Sequence, residues 1–212
     1  MEYFLDIKIF INFLLYNNKP LTIIKSPIIK FNYDKEKKIN MIYTGRISNS
    51  QKNINTLIDI VYEYNKKYGK ARLTLYGDGP DFNKYMNSNL VHFYGSIDND
   101  NLYNEYKKYI NKNPVFIFAS TTETLGKSPI EASLCGLPVF TAISPETLFI
   151  YKDGINGFTF SSVNECCNKI NNFINLSECK KKNIIKNGKI LKKKFDSNIY
   201  SKIYDKITKN KI

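Results

Sequence analysis

From Ile39 onward, short β-rich runs alternate with longer segments of helical spacing, and few folds accommodate that alternation. The runs Met41–Thr44, Arg72–Tyr76, Val91–Tyr94, Val115–Ala119 and Pro138–Thr141 are expected as strands. Segments between them are long enough for crossover helices, so the pattern predicts βαβ units and a parallel sheet. In Asn53–Tyr68 the apolar residues Ile54, Leu57, Ile58, Val61 and Tyr62 recur at three and four, which gives a helix one face for covering a sheet.

Three expected strands run into glycine turns, at Gly45, Gly77 and Gly95. Glycine there lets the backbone turn tightly or lets a ligand approach it. All three fall at carboxyl ends of strands, the edge at which open α/β sheets bind ligands, so they are expected to border one crevice.

Chemistry concentrates in Thr121–Ala132, followed by Cys135-Gly136-Leu137-Pro138-Val139. A strand, a loop and then a helix beginning near Lys127, with Pro129 in its first turn, are expected. Backbone amides of Gly126, Lys127 and Ser128 would then point outward as an anion site. Glu123 and Glu131 lie eight residues apart, so a loop running into a helix can aim both carboxylates at the same crevice. Ionised carboxylates beside an anion site call for donors, and sugar hydroxyls supply them in charge-assisted bonds.

With Gly126 between the glutamates and Ala132, Gly136, Pro138 and Val139 after them, this pattern resembles the donor-binding domain of family-4 type GT-B glycosyltransferases. Other landmarks follow in order. Gly45-Arg46 with Lys52 resembles the family's first-strand turn, Tyr76-Gly77-Asp78-Gly79-Pro80 its second glycine turn, and Phe93-Tyr94-Gly95-Ser96-Ile97 the turn bordering the base. Asp153-Gly154-Ile155-Asn156-Gly157-Phe158 resembles its late glycine segment. The resemblance implies a Rossmann-like parallel sheet with helices on both faces, the C-terminal half of a GT-B fold. It further implies that Glu123 holds hydroxyls of the transferred sugar, Glu131 those of the ribose, and Arg46 and Lys52 the diphosphate. A metal-independent, retaining hexosyltransferase without a cofactor is expected, its donor a UDP-sugar or GDP-mannose.

The resemblance runs from about Ile39 to Phe160, so the expected division is 1–40 as appendage and linker, 41–175 as the nucleotide-sugar domain and 176–212 as basic helices packed on it. An acceptor half is then expected from a partner chain or within an oligomer, unless the chain is a fragment or a degenerate form. A non-catalytic nucleotide-sugar-binding or scaffold module of the same fold is the alternative.

Composition narrows the setting. Net charge is +13, and from Leu176 onward twelve lysines face only Glu178, Asp196 and Asp205. Such an excess suits nucleic acid, anionic lipid or phosphorylated ligands alike. Charge alone does not choose among them, and a solvated lysine-rich face is the first reading; with the motifs above, a nucleotide sugar and no nucleic acid is the expected partner, and the tail suits peripheral contact with a membrane surface. Tyr3–Tyr16 is too short and too polar to span a bilayer, interrupted as it is by Asp6, Lys8 and Asn12. Cys135, Cys166, Cys167 and Cys179 show no metal-binding spacing and read as free thiols. A cytoplasmic protein, at most resting on a membrane, is expected.

Overall fold

The computed structural model describes residues 29–85, 89–120 and 126–191. Six strands form one parallel sheet: β1 (Ile39–Thr44), β2 (Ala71–Tyr76), β3 (Val91–Gly95), β4 (Pro114–Phe118), β5 (Val139–Ala142) and β6 (Phe158–Phe160), in the spatial order β3-β2-β1-β4-β5-β6. The five expected strands are all present, shifted by a residue or so at their ends. β6 was not anticipated, because three residues are too few to show a period.

Strand β4 is apolar throughout: every residue of Pro-Val-Phe-Ile-Phe is buried, as befits a strand covered on both faces. Helices do the covering. They are α1 (Asn49–Lys52), α2 (Ile54–Tyr68), α3 (Asn99–Lys107), α4 (Lys127–Cys135), α5 (Pro145–Ile150), α6 (Val163–Asn175) and α7 (Glu178–Gly188).

In α2 the buried face is Ile54, Leu57, Ile60, Val61 and Tyr64. Tyr62, expected on that face, is 67% exposed, because the stripe advances by three, four and three from Ile54 to Tyr64 and leaves it on the outside. Asn65 ties the helix end to β2 by accepting from Ala71 N (2.9 Å) and donating to Ala71 O (3.0 Å). α6 packs against α2, with Cys167 Sγ 3.4 Å from Ile60 O. α4 is buried from Pro129 to Cys135 and ends at a left-handed Gly136, where Leu137 N donates to Ala132 O (3.0 Å). Those few residues turn the chain straight into β5.

Residues 29–38 pack against the domain. Ile29 and Phe31 are buried, Ile29 N donates to Cys135 O (3.1 Å), and the fully buried Asn113 accepts from Asp34 N (2.7 Å). At the other end, Ile184 and Leu191 bury against the core. The part of the expected basic helices beyond Leu191, like Tyr3–Tyr16, lies outside the described residues. All four cysteines are free thiols, and only Cys179 is exposed.

Candidate functional site at the carboxyl edge of the sheet

The chain lays down β1, β2 and β3 in one direction and then returns across β1 to lay down β4, β5 and β6 in the other. The boundary between β1 and β4 is therefore the switch point, at whose carboxyl end open α/β sheets hold their ligands.

On one side the three expected glycine turns form a continuous layer. Gly45 N donates to Tyr76 O (2.9 Å), Ile47 N to Asp78 O (2.9 Å) and Gly77 N to Gly95 O (2.7 Å). Gly77 has φ +143°, and a Cβ on it would sit 1.9 Å from Gly45 O. A Cβ on Gly79 would sit 2.3 Å from Ile47 O. Glycine is needed at these two positions because one turn lies directly upon another.

Arg46 leaves this layer exposed to solvent, its backbone carbonyl held by the Tyr43 hydroxyl (2.9 Å). Lys52 is half-buried at the end of α1. From the other side of the boundary, Ser120 Oγ donates to Gln51 O (2.8 Å), so the loop leaving β4 touches the segment that carries both cations.

α4 begins where expected. Gly126 caps it with φ +64°, and Lys127 and Ser128 are half-buried in its first turn. Pro129 has no N–H, so the amides of Lys127 and Ser128 are the first-turn donors beyond Gly126. Glu131, one turn further on, is only 9% exposed, and no hydrogen bond joins its carboxylate to another described residue. Burial pushes its carboxyl above the ordinary carboxylate range, and Lys127 four residues earlier draws it part of the way back. A carboxylate buried this far needs donors, and sugar hydroxyls are of the kind that would serve it.

Beneath Glu131 lies a residue that sequence reasoning missed. Tyr106 of α3 is fully buried, shares a hydrogen bond with Thr44 Oγ1 (3.1 Å), and is pushed well upward by burial, with Glu131 among the negative charges that add to the shift. It thus reaches from the last residue of β1 to the floor of α4. Nothing local marks it, since its partners are 62 and 25 residues away.

The structure therefore brings Gly45, Gly77, Gly95, Arg46, Lys52, Gly126, Lys127, Ser128 and Glu131 to the same edge of the sheet. Glu123, in Thr121–Leu125, lies outside the described residues. His92 is exposed on edge strand β3, with its ring 6.3 Å from that of Tyr94. Tyr94, 46% exposed, tilts against Tyr76 at 4.9 Å beside the Gly95 turn. Among the described residues no group of three or more His, Cys, Asp or Glu side chains could hold a metal ion. No helix among them is long and apolar enough to cross a membrane.

A doubly wound parallel sheet with glycine turns gathered at its carboxyl edge defines the Rossmann-like class, and comparison with known proteins narrows it. The profile of the family described as glycosyl transferases group 1 matches residues 25–191. The chain is 31% identical over 131 residues to alpha-monoglucosyldiacylglycerol synthase of Acholeplasma laidlawii, a match covering 58% of this chain and 32% of that protein. The fold superposes on HepE of Anabaena, solved with UDP and glucose, with a TM-score of 0.66 at 23% identity, covering 82% of this chain and 49% of that one. It also matches the C-terminal domain of a glycosyl transferase group 1 protein (LpcC) from Francisella tularensis, with a TM-score of 0.62 at 19% identity, covering 83% of this chain and 97% of that domain. The chain belongs to the glycosyl transferases group 1 family and has the fold of the C-terminal half of a GT-B enzyme. It spans about a third of the length of the curated relatives it matches.

Proposed function

We propose that this chain is the donor-binding part of a glycosyltransferase that grips a nucleotide-diphospho-sugar across the β1/β4 boundary. The observation that carries the proposal is Glu131, buried in α4 and without a hydrogen bond from another described residue, across the β1/β4 boundary from the Arg46–Lys52 segment that Ser120 contacts. Glu131 accepts from the ribose hydroxyls, Arg46 and Lys52 neutralise the diphosphate, and Glu123 holds hydroxyls of the transferred sugar. Gly45, Gly77 and Gly95 border the ligand, and the amides of Gly126, Lys127 and Ser128 donate to it.

The chemistry follows from that placement. As the bond between the anomeric carbon and the diphosphate oxygen breaks, negative charge collects on the leaving group and the sugar gains oxocarbenium character. Fixed cations and oriented amides stabilise the developing charge more than the ground state, which lowers the barrier. These groups supply the stabilisation without a metal ion, and transfer with retention follows the family resemblance. HepE was solved with UDP-glucose, which favours a UDP-sugar over GDP-mannose as the donor.

Transfer also needs an acceptor site, and we assign it to the other half of the GT-B fold, outside this sequence. The name of the Acholeplasma relative favours a lipid acceptor, with the lysine-rich tail resting on an anionic membrane from the cytoplasmic side. Calorimetric titration of UDP, UDP-glucose and GDP-mannose tests the reading. Saturable binding of a nucleotide or its sugar is expected, weakened about tenfold or more by Arg46→Ala or Glu131→Ala. Failure of the wild type to bind any of the three, or unchanged affinity in both variants, refutes it.

A further inference from the structure

α1 is a single turn of four residues, and an isolated turn is far below the length at which a helix sustains itself in water. Its own N-cap, Ser48, makes no side-chain cap bond, and its first turn holds no acidic residue. Other parts of the molecule must therefore keep it wound.

Two side chains do so, one from each side of the crevice. The Asp81 carboxylate, just past the second glycine turn, accepts from Asn49 N (2.6 Å) and so provides at the start of the turn the acceptor and negative charge that Ser48 does not. Ser120, at the end of β4, donates to Gln51 O (2.8 Å) at its close. Backbone bonds seat the same stretch, with Asp81 N donating to Ile47 O (3.2 Å) and Lys52 N to Ser48 O (2.8 Å). Asn53 follows in the left-handed conformation at φ 51°, a costly geometry that persists only where its surroundings enforce it.

We infer that Asp81 and Ser120 are positioning residues that hold the Arg46–Lys52 segment wound so that its cations meet the diphosphate. The inference rests on the donor-binding reading above for what the cations meet, and on the geometry alone for what holds them.

The test compares wild type, Asp81→Ala, Asp81→Asn and Ser120→Ala in two measurements. The first is amide hydrogen exchange in residues 47–53, which needs no ligand. Faster exchange there in Asp81→Ala and Ser120→Ala, with recovery in Asp81→Asn, whose side-chain oxygen still accepts from Asn49 N, is expected. Unaltered exchange in both alanine variants overturns the inference whether or not the protein binds nucleotides. The second is titration with UDP and with uridine. A loss of about tenfold for UDP with uridine affinity unchanged is expected in both alanine variants. Equal losses for the two ligands, or none, would show that the side chains merely support the fold. A wild type that binds no nucleotide, combined with the expected exchange, would remove the donor-binding reading and leave the positioning intact.

Discussion

Gly77→Ala probes the layer of turns most directly. The added Cβ would lie 1.9 Å from Gly45 O and 2.9 Å from Gly45 C, so one turn must recede about 1.5 Å to reach ordinary contact. Neither atom is the end of a flexible side chain, so backbone has to move. Doing so strains the bonds from Gly45 N to Tyr76 O and from Gly77 N to Gly95 O, each contributing about 1 kcal/mol. Overpacking adds about 2 kcal/mol, for a total near 4 kcal/mol. At about 2–4 °C per kcal/mol for a domain of this size, the melting temperature falls by roughly 8–16 °C. Gly154→Ala is the control: it also has positive φ, at +70°, but nothing lies within 4 Å of its Cβ, so only about 1–2 kcal/mol of backbone strain applies. Thermal unfolding of the two variants, followed by circular dichroism, decides the matter. If Gly77→Ala melts no lower than Gly154→Ala, close packing of turn on turn is not why glycine occupies that position.

Glu131→Gln should raise the melting temperature at pH 7 while weakening nucleotide binding. Its folded carboxyl keeps its proton to higher pH than the unfolded one, so the destabilisation is absent in acid and grows as pH rises; the gain should vanish near about pH 4 in a pH series of melts. Glu165 is the opposite case. Its hydrogen bonds to Lys169 and to Ser161 hold the carboxyl down at about 2, so its contribution is complete above 4.5 and is lost as pH falls toward 2. Glu165→Gln should therefore lower the melting temperature at pH 7 and leave it unaltered at the acid end of that window. Tyr106→Phe keeps the ring and removes the bond to Thr44 Oγ1, for a loss of about 1 kcal/mol that denaturant unfolding would register; an unchanged midpoint would mean the hydroxyl adds nothing to joining β1 and α3.

What could be read from the chain divides along a physical line. Strands β1 to β5, helix α2 and the start of α4 show in the sequence because hydrophobic period and glycine, proline and turn chemistry are local signals. The site edge was legible for the same reason: Gly45, Gly77 and Gly95 each end a β-rich run, and Pro129 marks a first helical turn. Tyr62 was assigned to the wrong face because two overlapping three-and-four series share most members, and only the packed sheet chooses between them. Tyr106, Asp81 and Ser120 left no trace, since each acts on a partner between 25 and 69 residues away. The burial that shifts Glu131 is likewise a property of the assembled α4, which is covered over nearly its whole length.

The reversal of winding at β1 has a mechanical consequence. Two three-strand blocks meet along the β1–β4 ladder over Asn40–Ile42 and Pro114–Phe116, with α2 packed against α6 across the same line. A molecule lodged at the upper end of that seam, if it touched Arg46 on one block and Glu131 on the other as proposed, would act as a rivet. Force applied through β3 and β6 would then shear the sheet at this line, and the rivet would raise the load at which it parts.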